Sequence, residues 1–129
     1  MRRVVPALLI VVIAAGCNGN GKVYTRSDVE RAFRSQRFEL VAPTSKLVTK
    51  NEAVLAPKTG ESFIVLIFKN EKRARAAARV LARQATPETL DVRQGNVVVE
   101  SDEGVTRRIR TQIHAALSRL TRAAPHKVG

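Results

Sequence analysis

Cysteine, tryptophan and acidic side chains are the scarce residues of this 129-residue chain: it has one Cys, no Trp, and eleven Asp and Glu against 23 Lys and Arg. A single thiol excludes an internal disulfide framework. Five aromatic rings are too few for an aromatic ligand cage, and none interleaves with the arginines to stack bases, so nucleic acid is not an expected partner. The two histidines, His114 and His126, have no companion Cys, His or carboxylate at the spacing a transition-metal motif needs, so no metal site is expected. A Gly-rich phosphate loop, a nucleophile elbow and an ordered Ser/His/Asp set are also missing. These absences point away from an enzyme and call for no cofactor. What is present, 44% hydrophobic and 26% charged residues, is the balance of a chain that folds, and the length suits one domain.

The first residues follow a different pattern from the rest. Met1-Arg2-Arg3 gives a positive start, Val4 to Ala15 is an apolar run unbroken apart from Pro6, and Ala14-Ala15-Gly16-Cys17 closes it with small side chains. This order reads as an export signal. The run falls short of the roughly 20 apolar residues a membrane-crossing helix needs, because the polar stretch Asn18 to Lys22 begins at once.

Ala14-Ala15-Gly16-Cys17 resembles the lipobox that ends a bacterial lipoprotein signal peptide. The family more often carries Leu three residues before the cysteine, where this chain has Ala14. The resemblance covers the first seventeen residues and implies removal of residues 1–16 with transfer of a diacylglyceryl group to Cys17. The alternative is an ordinary secretory signal with cleavage nearby, leaving either an unpaired thiol or none. Two or three acyl chains, at about 0.8 kcal/mol per buried methylene, hold a protein on a membrane, where one chain is marginal. Residues 17–25, rich in Gly and Asn, then read as a tether. The expected location is the extracytoplasmic face of a cell membrane.

Removal of residues 1–16 takes away Arg2 and Arg3 and leaves 21 basic against 11 acidic residues, a charge of +10. Residues 26–123 read as one domain and 124–129 as a tail. Ser27-Asp28-Val29-Glu30 has capping-box spacing and opens a helix reaching about Arg37. Phe38 to Val41 reads as a short strand and Val54-Leu55 as a brief edge strand. Phe63 to Phe68, six apolar residues, is the strongest strand signal and predicts cover on both faces. Asn70 caps a helix carrying Ala74, Ala77, Ala78, Leu81 and Ala85 on one side, which Pro87 ends. Leu90 to Arg93 and Val97 to Glu100 form a hairpin around Gly95-Asn96. Ser101 to Gly104 offers caps for a last helix, striped by Val105, Ile109, Ile113, Ala116, Leu117 and Leu120 and ending near Arg122.

Helices with one apolar stripe each bury it most simply against one face of a single sheet. The fold class expected is therefore α+β, a two-layer sandwich of a small, mainly antiparallel sheet of about four strands against two or three helices. The strand-helix-hairpin-helix order of the last part, with Gly95-Asn96-Val97-Val98-Val99 in the turn and final strand, resembles small extracytoplasmic lipoprotein domains of bacteria, a resemblance that spans residues 27 to 122 and brings no activity or site with it.

Lys72, Arg75, Arg79 and Arg83 recur at spacings of three and four and form one ridge opposite the alanines. Arg107, Arg108, Arg110, Arg119 and Arg122 lie off the stripe of the last helix. Such a ridge suits anionic lipid headgroups or cell-wall polymer, and equally suits a solvated helix face. Glu100, Asp102 and Glu103, the one acid cluster, are expected to sit at the positive end of the last helix. The function expected from all this is a lipid-anchored, non-enzymatic domain that interacts with a partner at the cell envelope; the alternative is a basic adaptor for anionic headgroups or polymer.

Overall fold

The computed structural model describes residues 23–43 and 52–122. Cys17, residues 1–16 read above as an export signal, and His126 lie outside them. The described residues form α1 (Arg26–Arg34), β1 (Leu40–Val41), β2 (Ala53–Pro57), β3 (Phe63–Ile67), α2 (Glu71–Gln84), β4 (Asp91–Gln94), β5 (Val97–Ser101) and α3 (Arg107–Arg122). The strands make one sheet in the order β1-β2-β3-β5-β4, every pair antiparallel. This is the expected α+β class, an antiparallel sheet packed against helices, with five strands in place of about four.

Alternation along the strands sorts the two faces. Leu55, Phe63, Val65, Ile67, Val97 and Val99 point to the face covered by α1 and α3, where they meet Val29, Phe33, Ile113 and Leu120 in one core. Phe63 stacks on Phe33 at 5.9 Å between ring centres and takes the edge of Phe38 at 5.0 Å. Val98 points the other way and is fully buried nonetheless. Its cross-strand neighbour Arg93 reaches α2, where its guanidinium pairs with Glu71 at 3.0 Å. The second helix therefore lies against the opposite face, over β4 and β5, instead of beside α1 and α3. Connectivity explains this: β3 and β4 run in the same direction with β5 between them, so the chain must cross the sheet, and α2 is that crossover. Only Ala74 of its alanines is fully buried, and a buried methyl contributes about 0.8 kcal/mol. Ion pairs Arg93–Glu71 and Arg73–Glu52, the latter at 2.7 Å, supplement that thin contact.

Several boundaries move. The capping box of α1 is Thr25 with Asp28, two residues ahead of Ser27: the Thr25 hydroxyl accepts from the Asp28 N–H and the Asp28 carboxylate accepts from the Thr25 N–H. Tyr24 is buried and Thr25 caps the helix, so both belong to the fold and not to the tether. The last helix is capped by Thr106, whose hydroxyl accepts from Ile109 N–H, and not by the Ser101–Gly104 stretch. Val54 and Leu55 lie in an interior strand, β2 having neighbours on both sides. In β3 one face is buried and the other only half so, because α2 does not extend that far across the sheet. The predicted hairpin forms as expected; Gly95 takes φ 59° at the first central position and Asn96 stays at negative φ, the pattern of a II′ turn.

Candidate functional site

Lys72, Arg75, Arg79 and Arg83 are all exposed along α2. Arg75 pairs with Glu71 at 3.4 Å, whereas Lys72, Arg79 and Arg83 meet no carboxylate among the described residues. On α3, Arg107, Arg108, Arg119 and Arg122 are exposed. Arg110 is half-buried, and its guanidinium donates to the backbone carbonyls of Pro87 and Glu88, so it acts as a clamp on the loop before β4. Because α2 and α3 occupy opposite faces of the sheet, the two arginine ridges lie on opposite sides of the domain, and only the start of α2 and the end of α3 share the hairpin end of the sheet.

A hollow of about 300 Å³ lies between α1 and α3, lined by Asp28, Arg31, Ala32, Arg119, Leu120 and Arg122. Two arginines at the end of α3 thus come close to the first turns of α1, since the two helices run antiparallel. The linear pattern held no signal for this juxtaposition beyond the shared apolar stripes. A second hollow, about 420 Å³, opens at the far end of the sheet beside Pro57, Ile64, Glu100 and Asp102.

The acid cluster is not at a helix start. The first turn of α3 holds no acidic residue. Glu100 lies within β5, directly opposite Asp91 on β4. Partial burial pushes both carboxyls up from their ordinary values, and the Asp91 charge adds to the effect on Glu100. Asp102 accepts from the Gly104 N–H at 2.7 Å, and Glu103 accepts from the Thr86 hydroxyl. The Asp91–Glu100 pair escaped the reading of the sequence, although the two-residue turn at Gly95-Asn96 fixes that register by counting outward from it.

Asn96 is the other residue the sequence underrated. It is fully buried, and its side chain accepts from Tyr24 N–H at 2.7 Å while donating to the carbonyls of Tyr24 at 3.0 Å and Phe68 at 2.9 Å. The entry of the chain into the domain is thereby fixed at the hairpin end of the sheet.

His114 is exposed on α3. Among the described residues no three His, Cys, Asp or Glu converge as a metal site, and no helix is long and apolar enough to cross a membrane. Comparison with protein-family models, with curated proteins and with solved structures finds no match to this chain.

Proposed function

We propose that the chain is a lipid-anchored extracytoplasmic protein, acylated at Cys17, whose small domain works without catalysis by binding a partner at the cell envelope. The observation that carries the reading is the order of segments: a basic start, an apolar run and Ala14-Ala15-Gly16-Cys17, followed seven residues later by Tyr24, where the folded domain begins. Acylation consumes the one thiol, which would otherwise be free to form unwanted intermolecular disulfides in an oxidising compartment. The test is metabolic labelling with a fatty-acid analogue in cells carrying wild type or Cys17→Ala. Label and membrane retention in the wild type, both lost in the variant, are expected. Equal membrane retention with no label in either contradicts the reading.

A second reading draws on Lys72, Arg79 and Arg83 of α2, exposed and without an ion-pair partner among the described residues: with Arg75 they would serve as an adaptor for anionic headgroups or wall polymer. A soluble form beginning at Gly19 should then bind anionic vesicles or wall polymer at low salt and release them as salt rises. No binding at low salt discards it.

A further inference from the structure

The positive charge of the domain is collected at one end, and it is the end from which the chain leaves toward Cys17. Asn96 ties Tyr24 to the turn between β4 and β5 and to Phe68, so Tyr24, the hairpin and the start of α2 share one end of the sheet. Lys69, Lys72, Arg73 and Arg75 gather there around the first turn of α2, with Arg93 beside the hairpin. The antiparallel packing of α1 and α3 brings Arg119 and Arg122 to the same end, next to Arg31, with Arg26 at the start of α1.

Nine basic residues in this half face four acidic ones, Asp28, Glu30, Glu52 and Glu71, a surplus of five. All four acids are in ion pairs, with Arg31, Arg26, Arg73 and, for Glu71, both Arg75 and Arg93. Lys69, Lys72, Arg119 and Arg122 have no ion-pair partner among the described residues. In the other half seven basic residues balance seven acidic ones, with Arg79 between the halves. The surplus of the described domain therefore lies almost wholly at the tethered end.

However the intervening chain runs, seven residues span at most about 25 Å, so an anchor on Cys17 holds this end near the headgroups. Basic groups near an anionic surface gain about fivefold each in partitioning within a Debye length. Resting on the anchoring reading, we propose that the domain docks on the anionic headgroups of its own membrane through Lys69, Lys72, Arg119 and Arg122. The lipid holds the protein there and these four residues orient it, turning the balanced end, with its hollow beside Glu100, outward. This surface shares only Lys72 with the exposed, unpaired part of the α2 ridge and leaves Arg79 and Arg83 aside.

The test uses the acylated protein, extracted from membranes and reconstituted into phosphatidylcholine vesicles with or without phosphatidylglycerol. Because acylation consumes the only native cysteine, a nitroxide can be placed uniquely through Ser118→Cys at the tethered end or Ala85→Cys at the other; both positions are exposed. A paramagnetic relaxant carried on the headgroups then reports proximity. The expected result is strong relaxation at position 118 on anionic vesicles, weak on neutral ones and lost as salt rises, with position 85 remote on both. Reversing Lys69, Lys72, Arg119 and Arg122 to Glu lowers the docked population more than about tenfold. Reversing Arg34, Lys58, Arg107 and Arg108, an equal change of net charge at the other end, leaves it unchanged. A matched set of Gln replacements at the first four positions guards against loss of the fold, and the salt series on wild type needs no variant. Equal relaxation at 118 and 85, or equal response to the two reversals, overturns the proposal. Docking that a soluble polyanion reproduces without anionic lipid overturns the lipid assignment. Intact mass of the same preparation reads the acyl chains separately: unacylated protein defeats the anchoring reading, and acylated protein that stays off anionic vesicles defeats the docking alone.

Discussion

The side chain of Asn96 grips the backbone of Tyr24 from both sides, accepting from its N–H at 2.7 Å and donating to its carbonyl at 3.0 Å. A second donor hydrogen bonds Phe68. The amide is used as a three-way tie between the chain entry, the end of β3 and the hairpin. This tie fixes the entry of the chain at the hairpin end of the sheet.

Replacing Asn96 by Ala strands two backbone groups of Tyr24 and the carbonyl of Phe68, and should lower stability by about 2–4 kcal/mol in urea unfolding. Asn96→Asp should be no better, because a carboxylate accepts from the Tyr24 N–H but cannot donate to either carbonyl. A loss under about 0.5 kcal/mol for both would show that the tie contributes little.

Tyr24 is the only tyrosine, and with no tryptophan present its ionisation can be followed by absorbance without interference. Burial pushes its pKa above the ordinary 10.0, the Gln94 side chain offsetting part of this, and among the described residues the buried hydroxyl has no hydrogen-bond partner. An alkaline titration should show phenolate forming above that value in the folded protein and at it in denaturant. Tyr24→Phe should keep or slightly raise stability, since it removes an unsatisfied group.

Arg37 holds φ at 68° where α1 ends. Phe38 N–H bonds back to the Phe33 carbonyl and Arg37 N–H to that of Arg34, a Schellman turn with a non-glycine residue in the left-handed position. Arg37→Gly should therefore raise stability by about 0.5–1 kcal/mol, and Arg37→Val should lower it. Thermal unfolding of the two variants decides the order.

Asp91 and Glu100 titrate above their ordinary values of 3.8 and 4.5 when folded. The folded state thus binds protons more readily than the unfolded one in the window above those values, and the pair's contribution to stability grows as pH falls through it. As pH rises past the folded values, the charged pair becomes a fixed penalty. Asp91→Asn with Glu100→Gln should raise the melting temperature at neutral pH and flatten its dependence across that window. Wild type and variant curves that stay parallel would contradict this assignment.

Much of the architecture was legible because its signals are local. Phe63 to Ile67 is β-branched and aromatic, Asn70 and Pro87 bracket α2, and Gly95-Asn96 sets the hairpin. Each depends on a few adjacent residues. The displacement of the first cap from Ser27 to Thr25 was not legible, because both positions offer a hydroxyl three residues before an acid; burial of Tyr24 chose between them. The interior place of β2 was hidden by Ala53, Ala56 and Pro57, poor strand formers, the first paired with Ile67 of β3 and the other two with Val41 and Leu40 of β1. The arginines of α2 and α3 looked equivalent along the chain and separated only when the crossover put the helices on opposite faces. Charge polarity of the domain is a property of that arrangement, with no counterpart in residue order.

Intact-mass measurement of the protein extracted from membranes tests the central claim most directly. The account predicts a chain that starts at Cys17, heavier than its residues by a diacylglyceryl group with or without a further acyl chain. A chain that still carries Met1 to Gly16, or one whose Cys17 sulfur is a free thiol, would contradict it.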